Sequence, residues 1–150
     1  MKKTFIIIWS LVLTLLIFGN LFGGDDKAAV EQVIKSAYFN GAFNDLDTES
    51  MKKGFHPDFA IFSAKGKKLG KYPIAIWIER TEKRKSDPGF DPAQVARDCR
   101  ITSLDVTGGC ATAKVEIFKK RKLVYTDYLS LLKFDDGWKI VAKVYHSHKH

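Results

Sequence analysis

Cysteine and proline are both scarce, with two Cys and four Pro in 150 residues. Two cysteines cannot build the disulfide framework of a small staple-dependent scaffold, and so little proline, beside eleven glycines, excludes collagen-like and proline-rich chains. The longest greasy run, Phe5 to Phe18, is shorter than the roughly 20 apolar residues a membrane helix needs. No Cys follows that run, which excludes lipid attachment there. Gly66 to Lys71 has the outline of a phosphate loop, but its interval is too short and neither Ser nor Thr follows Lys71. Nucleotide-cofactor and nucleophile-elbow motifs are missing as well, and acidic residues are outnumbered by basic ones, 17 to 25. The resulting net charge of +8 favours anions at the surface without saying anything about fold.

What is present suits one ordinary folded domain: 45% of residues are hydrophobic and 28% charged. The chain opens like an export signal, with basic Lys2 and Lys3, the run from Phe5 to Phe18, and a Gly-rich exit before Asp25 and Asp26. Residues 1–24 are therefore expected to be a signal peptide, and the protein to be exported, periplasmic or secreted. Leu21 and Phe22 could lengthen the run, so an uncleaved membrane anchor is the alternative. The folded domain is expected over residues 25–150.

Val30, Val33, Ile34, Ala37, Tyr38 and Gly41 recur at intervals of three and four, which predicts a helix from Asp26 to about Phe43 with Asp25 or Asp26 as its cap. A short helix is expected from Thr48 to Lys53 with Asp47 as cap, then a strand from Asp58 to Ala64. A third helix starts at Pro73 and turns Ile74, Trp77, Ile78 and Thr81 inward, ending at Ser86-Asp87-Pro88-Gly89. The period then changes to that of strands over Arg100–Thr107, Cys110–Lys119, Leu123–Phe134 and Trp138–His146, an antiparallel meander. A Gly108-Gly109 turn sets Thr107 against Cys110, Leu104 against Ala113 and Val106 against Ala111. Cys99 then lies too far along its strand to reach Cys110 within the roughly 7 Å a disulfide allows, so two free thiols are expected. A two-residue Asp136-Gly137 turn would set Leu131 against Ala142, Leu129 against Val144 and Asp127 against His146, all on one face. Tyr128, Ser130, Leu132, Val141 and Tyr145 would form the opposite, half-apolar face, a candidate homodimer surface.

Helices leading into a long curved antiparallel sheet, with Gly54-Phe55-His56-Pro57-Asp58 entering the first strand, resemble the nuclear transport factor 2-like superfamily. Thr126-Asp127-Tyr128-Leu129-Ser130-Leu131-Leu132-Lys133 and Asp136-Gly137-Trp138-Lys139-Ile140-Val141 are similar to its putative lumazine-binding branch. The resemblance implies a cone-shaped, cystatin-like α+β fold with N-terminal helices packed on the curved sheet. It also implies a pocket between helices and concave sheet for an aromatic or pteridine-like ligand, and homodimers through the sheet's outer face. The superfamily hosts isomerases, SnoaL-like cyclases and dehydratases, so fold alone does not decide activity.

Asp127 beside His146, in a wall of Leu129, Leu131, Ile140 and Val144, would be a desolvated acid–base pair. The plain alternative is a carboxylate hydrogen-bonded near a sheet end, with His146 in a fraying terminus. Tyr38 and Trp77 could stack on a flat ligand and His56 could point into the cone mouth, or each could serve packing alone. His146, His148 and His150 alternate but have no carboxylate or thiolate at a fixed spacing, so no metal or other cofactor is expected. The basic clusters Lys65 to Lys68, Arg80 to Lys85 and Lys119 to Lys122 sit at turns and a helix end, where solvated charge is ordinary, so no nucleic-acid partner is expected. A membrane partner follows only if the signal stays uncleaved. The reading is a small-molecule-binding protein. Its alternatives are an isomerase, cyclase or dehydratase with Asp127 as base and His146 or Tyr38 as proton donor, or an interaction module using the outer sheet face.

Overall fold

The structure, a computed structural model, describes residues 24–148. The proposed signal lies outside the described residues, as do the last two positions. Among the described residues no helix is long and apolar enough to cross a membrane.

Helix α1 occupies residues 24–44, and its second half, Ile34–Asn44, is wound as a π-helix. The three-and-four spacing predicts an α-helix throughout. The wider winding buries Ile34, Ala37, Tyr38, Phe39, Gly41 and Ala42, more of the surface than a single α stripe could hide. It also places side chains five apart on one line, so the rings of Tyr38 and Phe43 meet edge to face with centroids 5.2 Å apart. Asp26 lies inside the helix rather than capping it. Its carboxylate accepts hydrogen bonds from Lys133 Nζ at 2.6 Å and Trp138 Nε1 at 3.1 Å, tying α1 to the far end of the sheet.

Helix α2 spans Thr48–Gly54 and is capped by Asp47, whose side chain accepts from the backbone N–H groups of Glu49 and Ser50, as expected. Gly54 ends α2 against Ala37 of α1, where a Cβ would lie 2.3 Å from the Ala37 Cβ, so only glycine permits this approach. Helix α3 spans Ile74–Lys85 behind Pro73, with Ile74 and Thr81 buried and Trp77 and Ile78 half-buried along the predicted stripe. A short helix α4, Pro92–Val95, was not evident from the sequence pattern.

Six strands, β1 (Phe55–Lys65), β2 (Lys68–Pro73), β3 (Asp98–Thr107), β4 (Cys110–Lys119), β5 (Lys122–Phe134) and β6 (Gly137–Ser147), form one sheet in the order β2-β1-β6-β5-β4-β3. All neighbours are antiparallel except β1 and β6, which run parallel and close the sheet between its N- and C-terminal parts. The β2 strand was missed because Lys-Leu-Gly-Lys-Tyr-Pro reads as a charged loop. It is an edge strand, where lysines and a terminal proline discourage pairing with another chain. The β3–β4 hairpin has the predicted register, with Thr107 opposite Cys110, Leu104 opposite Ala113 and Val106 opposite Ala111. Both cysteines are free thiols.

The β5–β6 hairpin departs from expectation twice. Its turn is Asp135-Asp136, with Phe134 paired to Gly137, and Gly137 takes the left-handed φ of 110° that glycine tolerates. A bulge then leaves Val141 unpaired, since Leu131 faces Ile140 while Ser130 faces Ala142. Asp127 therefore lies opposite Tyr145, not His146, and Leu129 lies opposite Lys143, not Val144. The extra residue reverses which side chains of β6 look inward: Trp138 and Ile140 before the bulge, Lys143 and Tyr145 after it.

Candidate functional site

The core between helices and sheet is aromatic at one end, where Tyr38, Phe55, Phe59 and Trp77 pack mostly edge to face. Within it three polar side chains from three elements converge. Tyr38 comes from the π-wound half of α1, Asp127 from β5, and Lys143 from β6 just past the bulge. The Tyr38 hydroxyl donates to Asp127 Oδ2, while Lys143 Nζ donates to the Tyr38 oxygen at 2.6 Å and to Asp127 Oδ2 at 3.2 Å. Tyr38 and Asp127 are wholly buried and Lys143 is 6% exposed. Asp127 Oδ1 is buried with no hydrogen-bond partner among the described residues.

Burial, and next the charge of Asp127, push the Tyr38 phenol well above its ordinary value, so it stays a proton donor. Burial lowers Lys143, against the raising influence of Asp127. The ammonium also lies near the rings of Tyr38, Trp77 and Tyr145, 5.1, 5.6 and 5.3 Å from their centroids. A buried cation so placed is both paired and solvated by π-faces.

Above this triad is a cavity of about 360 Å³, walled by Phe43, Trp77, Tyr125 and Tyr145 and reached by Lys143. Its other side is the β1–β2 hairpin, which contributes Lys65 and Lys71 among others. A larger hollow of about 610 Å³ lies by the 84–97 segment and Lys119, but no fully buried ionisable group opens on it.

The structure brings together Tyr38, Asp127 and Trp77, the first two in contact and the third on the cavity wall. Leu129, Leu131 and Ile140 face the same way but are sealed in the core and do not line the cavity. Val144 is 50% exposed on the outer face, and His146 is exposed on that side too, its ring beside His148 rather than Asp127. The one-residue change of register at the Val141 bulge accounts for both. His56 is away from the cavity, stacked on Phe134 near the β5–β6 turn, with its Nδ1 accepting the backbone N–H of Asp58. His150 lies outside the described residues. Lys143 was missed altogether. The available signal was a lone cation in the apolar run Ile140 to Tyr145, on the strand next to the one carrying Asp127.

The model of the family described as "Putative lumazine-binding" matches residues 25–146. This chain belongs to that family. Solved structures similar to the lumazine-binding-family chain include an NTF2-like protein of unknown function from Shewanella baltica, 26% identical, with a TM-score of 0.64 over 82% of this chain and 94% of that one. A second, from Methylobacillus flagellatus, also an NTF2-like protein of unknown function, is 29% identical with a TM-score of 0.60, covering 83% and 94%. A cystatin-like fold protein from Burkholderia xenovorans, 20% identical with a TM-score of 0.57 over 84% and 94%, shares the fold. Among curated proteins nothing matches. The architecture is thus the cone-shaped α+β fold of the nuclear transport factor 2-like superfamily.

In this lumazine-binding-family chain Cys99 sits near the triad, and burial pushes its thiol up to about 12, with the charges of Asp98 and Asp127 adding to the rise. Only the thiolate reacts with alkylating agents. At pH 8 iodoacetamide should therefore modify exposed Cys110 at least about a hundredfold faster than Cys99, as peptide mass spectrometry would show. Equal rates would contradict the burial. Because this thiol is raised in the folded state, its contribution to stability is full below pH 9 and is lost as pH climbs through about 12.

Proposed function

We propose that the protein binds a flat aromatic small molecule of pteridine-like kind in the cavity beside Lys143. The observation that carries this reading is the cavity itself, about 360 Å³ of space walled by aromatic rings with one buried ammonium at its base. That volume suits a small ligand. A lysine ammonium has three donors, and Tyr38 and Asp127 engage two of those on Lys143, leaving one N–H for a ligand acceptor. The family's description, lumazine-binding, supports the same class of ligand.

The isomerase-type alternative asks a ligand to reach Asp127, which Tyr38 and Lys143 cover, and His146 lies on the other face of the sheet. Binding without turnover is the simpler reading. Exposed Tyr128, Leu132 and Val144 on the outer face support a homodimer in the same proposal, and the basic, greasy N-terminal segment supports export.

Native mass spectrometry of protein purified from its own host tests ligand and dimer together. The expected result is a dimer carrying a small aromatic molecule per chain, and Trp77→Leu protein should lose that molecule. Lumazine should also quench fluorescence in the unsubstituted protein and not in Trp77→Leu. The absence of both a retained mass and Trp77-dependent quenching would overturn the reading.

A further inference from the structure

We infer that the ligand of this cavity is an aromatic acid, a flat molecule whose anionic group is read by Lys65; this rests on the binding reading above. Lys65, Lys71 and Lys143 line the cavity and no Asp or Glu does, but Lys71, paired with Phe62, turns its side chain to the opposite face of the hairpin from Ser63, Lys65 and Tyr72. The charge of Lys143 is answered from behind by Asp127, so the buried pair is close to neutral. Lys65 has no such partner, since it forms no ion pair among the described residues. The site therefore holds one uncompensated positive charge beside aromatic walls.

The β1–β2 hairpin is built to keep Lys65 there. Gly70 pairs with Ser63, and a Cβ on Gly70 would come 2.9 Å from Lys65 Cε and 3.0 Å from Ser63 Oγ. The Lys65 stem thus crosses the strand over the bare Gly70 backbone, which itself lines the cavity. The Ser63 hydroxyl and the third N–H of Lys143 add donors suited to an anion's oxygens. On the same hairpin the Tyr72 ring carries the Arg80 guanidinium 5.3 Å from its centroid, a further positive charge nearby. Together these place aromatic contact and anion recognition in one pocket, while a neutral ring would leave Lys65 unused.

Isothermal titration of the full chain with 2-naphthoate and its neutral isostere 2-naphthamide tests the inference. The acid should bind about tenfold tighter at low salt, and that preference should shrink as ionic strength rises. Lys65→Gln should reduce the preference to about twofold or less, whereas Lys119→Gln with Lys120→Gln should leave it in place. Gly70→Ala, which displaces the Lys65 stem without changing any charge, should weaken the acid and spare the amide. Equal affinity of acid and amide, with both lost in Trp77→Leu, would overturn the charge inference and leave the aromatic cavity standing. Binding of neither compound would overturn both. A preference that survives removal of Lys65 would place anion recognition elsewhere and refute the assignment.

Discussion

Asp127→Asn should lose about 3–5 kcal/mol of folding stability, because it strands the buried Lys143 ammonium without its counter-charge. Asn keeps the shape of the side chain but can oppose neither the charge nor both donors, Tyr38 and Lys143, that now meet on one oxygen. Urea unfolding followed by circular dichroism gives the value from the shift in midpoint at constant slope. The double change Asp127→Leu with Lys143→Met should recover most of the loss, since an apolar pair of similar volume has no charge to desolvate. A loss below about 1 kcal/mol for Asp127→Asn would mean that the pair carries little net charge in the folded protein.

The second large effect is expected at Phe55, where β1 leaves α2. Its ring packs against Phe59 at 4.7 Å, Trp77 at 5.8 Å and Tyr38 at 6.2 Å between centroids, and it is 2% exposed. Phe55→Ala should lower stability by about 3–5 kcal/mol through lost burial and the cavity left behind. It should also shift tryptophan emission to the red, because Trp77 loses its backing and becomes wetter, and ligand affinity should fall with it. Trp77→Leu, at a half-buried wall position, should affect ligand far more than folding. A Phe55→Ala protein with native emission and a loss under about 1.5 kcal/mol would show that the neighbouring rings close over the gap.

These two positions mark where sequence reasoning succeeded and where it did not. The Asp47 cap, the Pro73 helix start and the Gly108-Gly109 hairpin were legible because each depends on residues close together in the chain. The inward facing of Asp127, Leu129 and Leu131 was legible for a related reason, since alternation along one regular strand needs no partner to define it. What failed was the relation between strands. A turn displaced by one residue and one unpaired valine at position 141 were enough to exchange His146 for Tyr145 opposite Asp127 and to bring Lys143 inward. No local preference distinguishes a bulge at Val141 from regular pairing there. The π-winding of α1 was hidden in the same way, because an apolar stripe at three and four cannot reveal that Tyr38 and Phe43 will also share a line. The edge strand β2 was obscured by its own charges.

The parallel pairing of β1 with β6 bears on the order of assembly. During synthesis β1 emerges roughly 80 residues before the strand it must join, and until that strand arrives the β1–β2 hairpin has no neighbour to complete its hydrogen-bond ladder. The β3–β5 meander can zip locally as it leaves the ribosome, but the rim that carries Lys65 and Lys71 is docked only when the last strand slots between the two halves. The cavity therefore cannot be complete before β6 is placed, since Lys143 and Tyr145 come from that strand, and a nascent chain stalled before Gly137 lacks both.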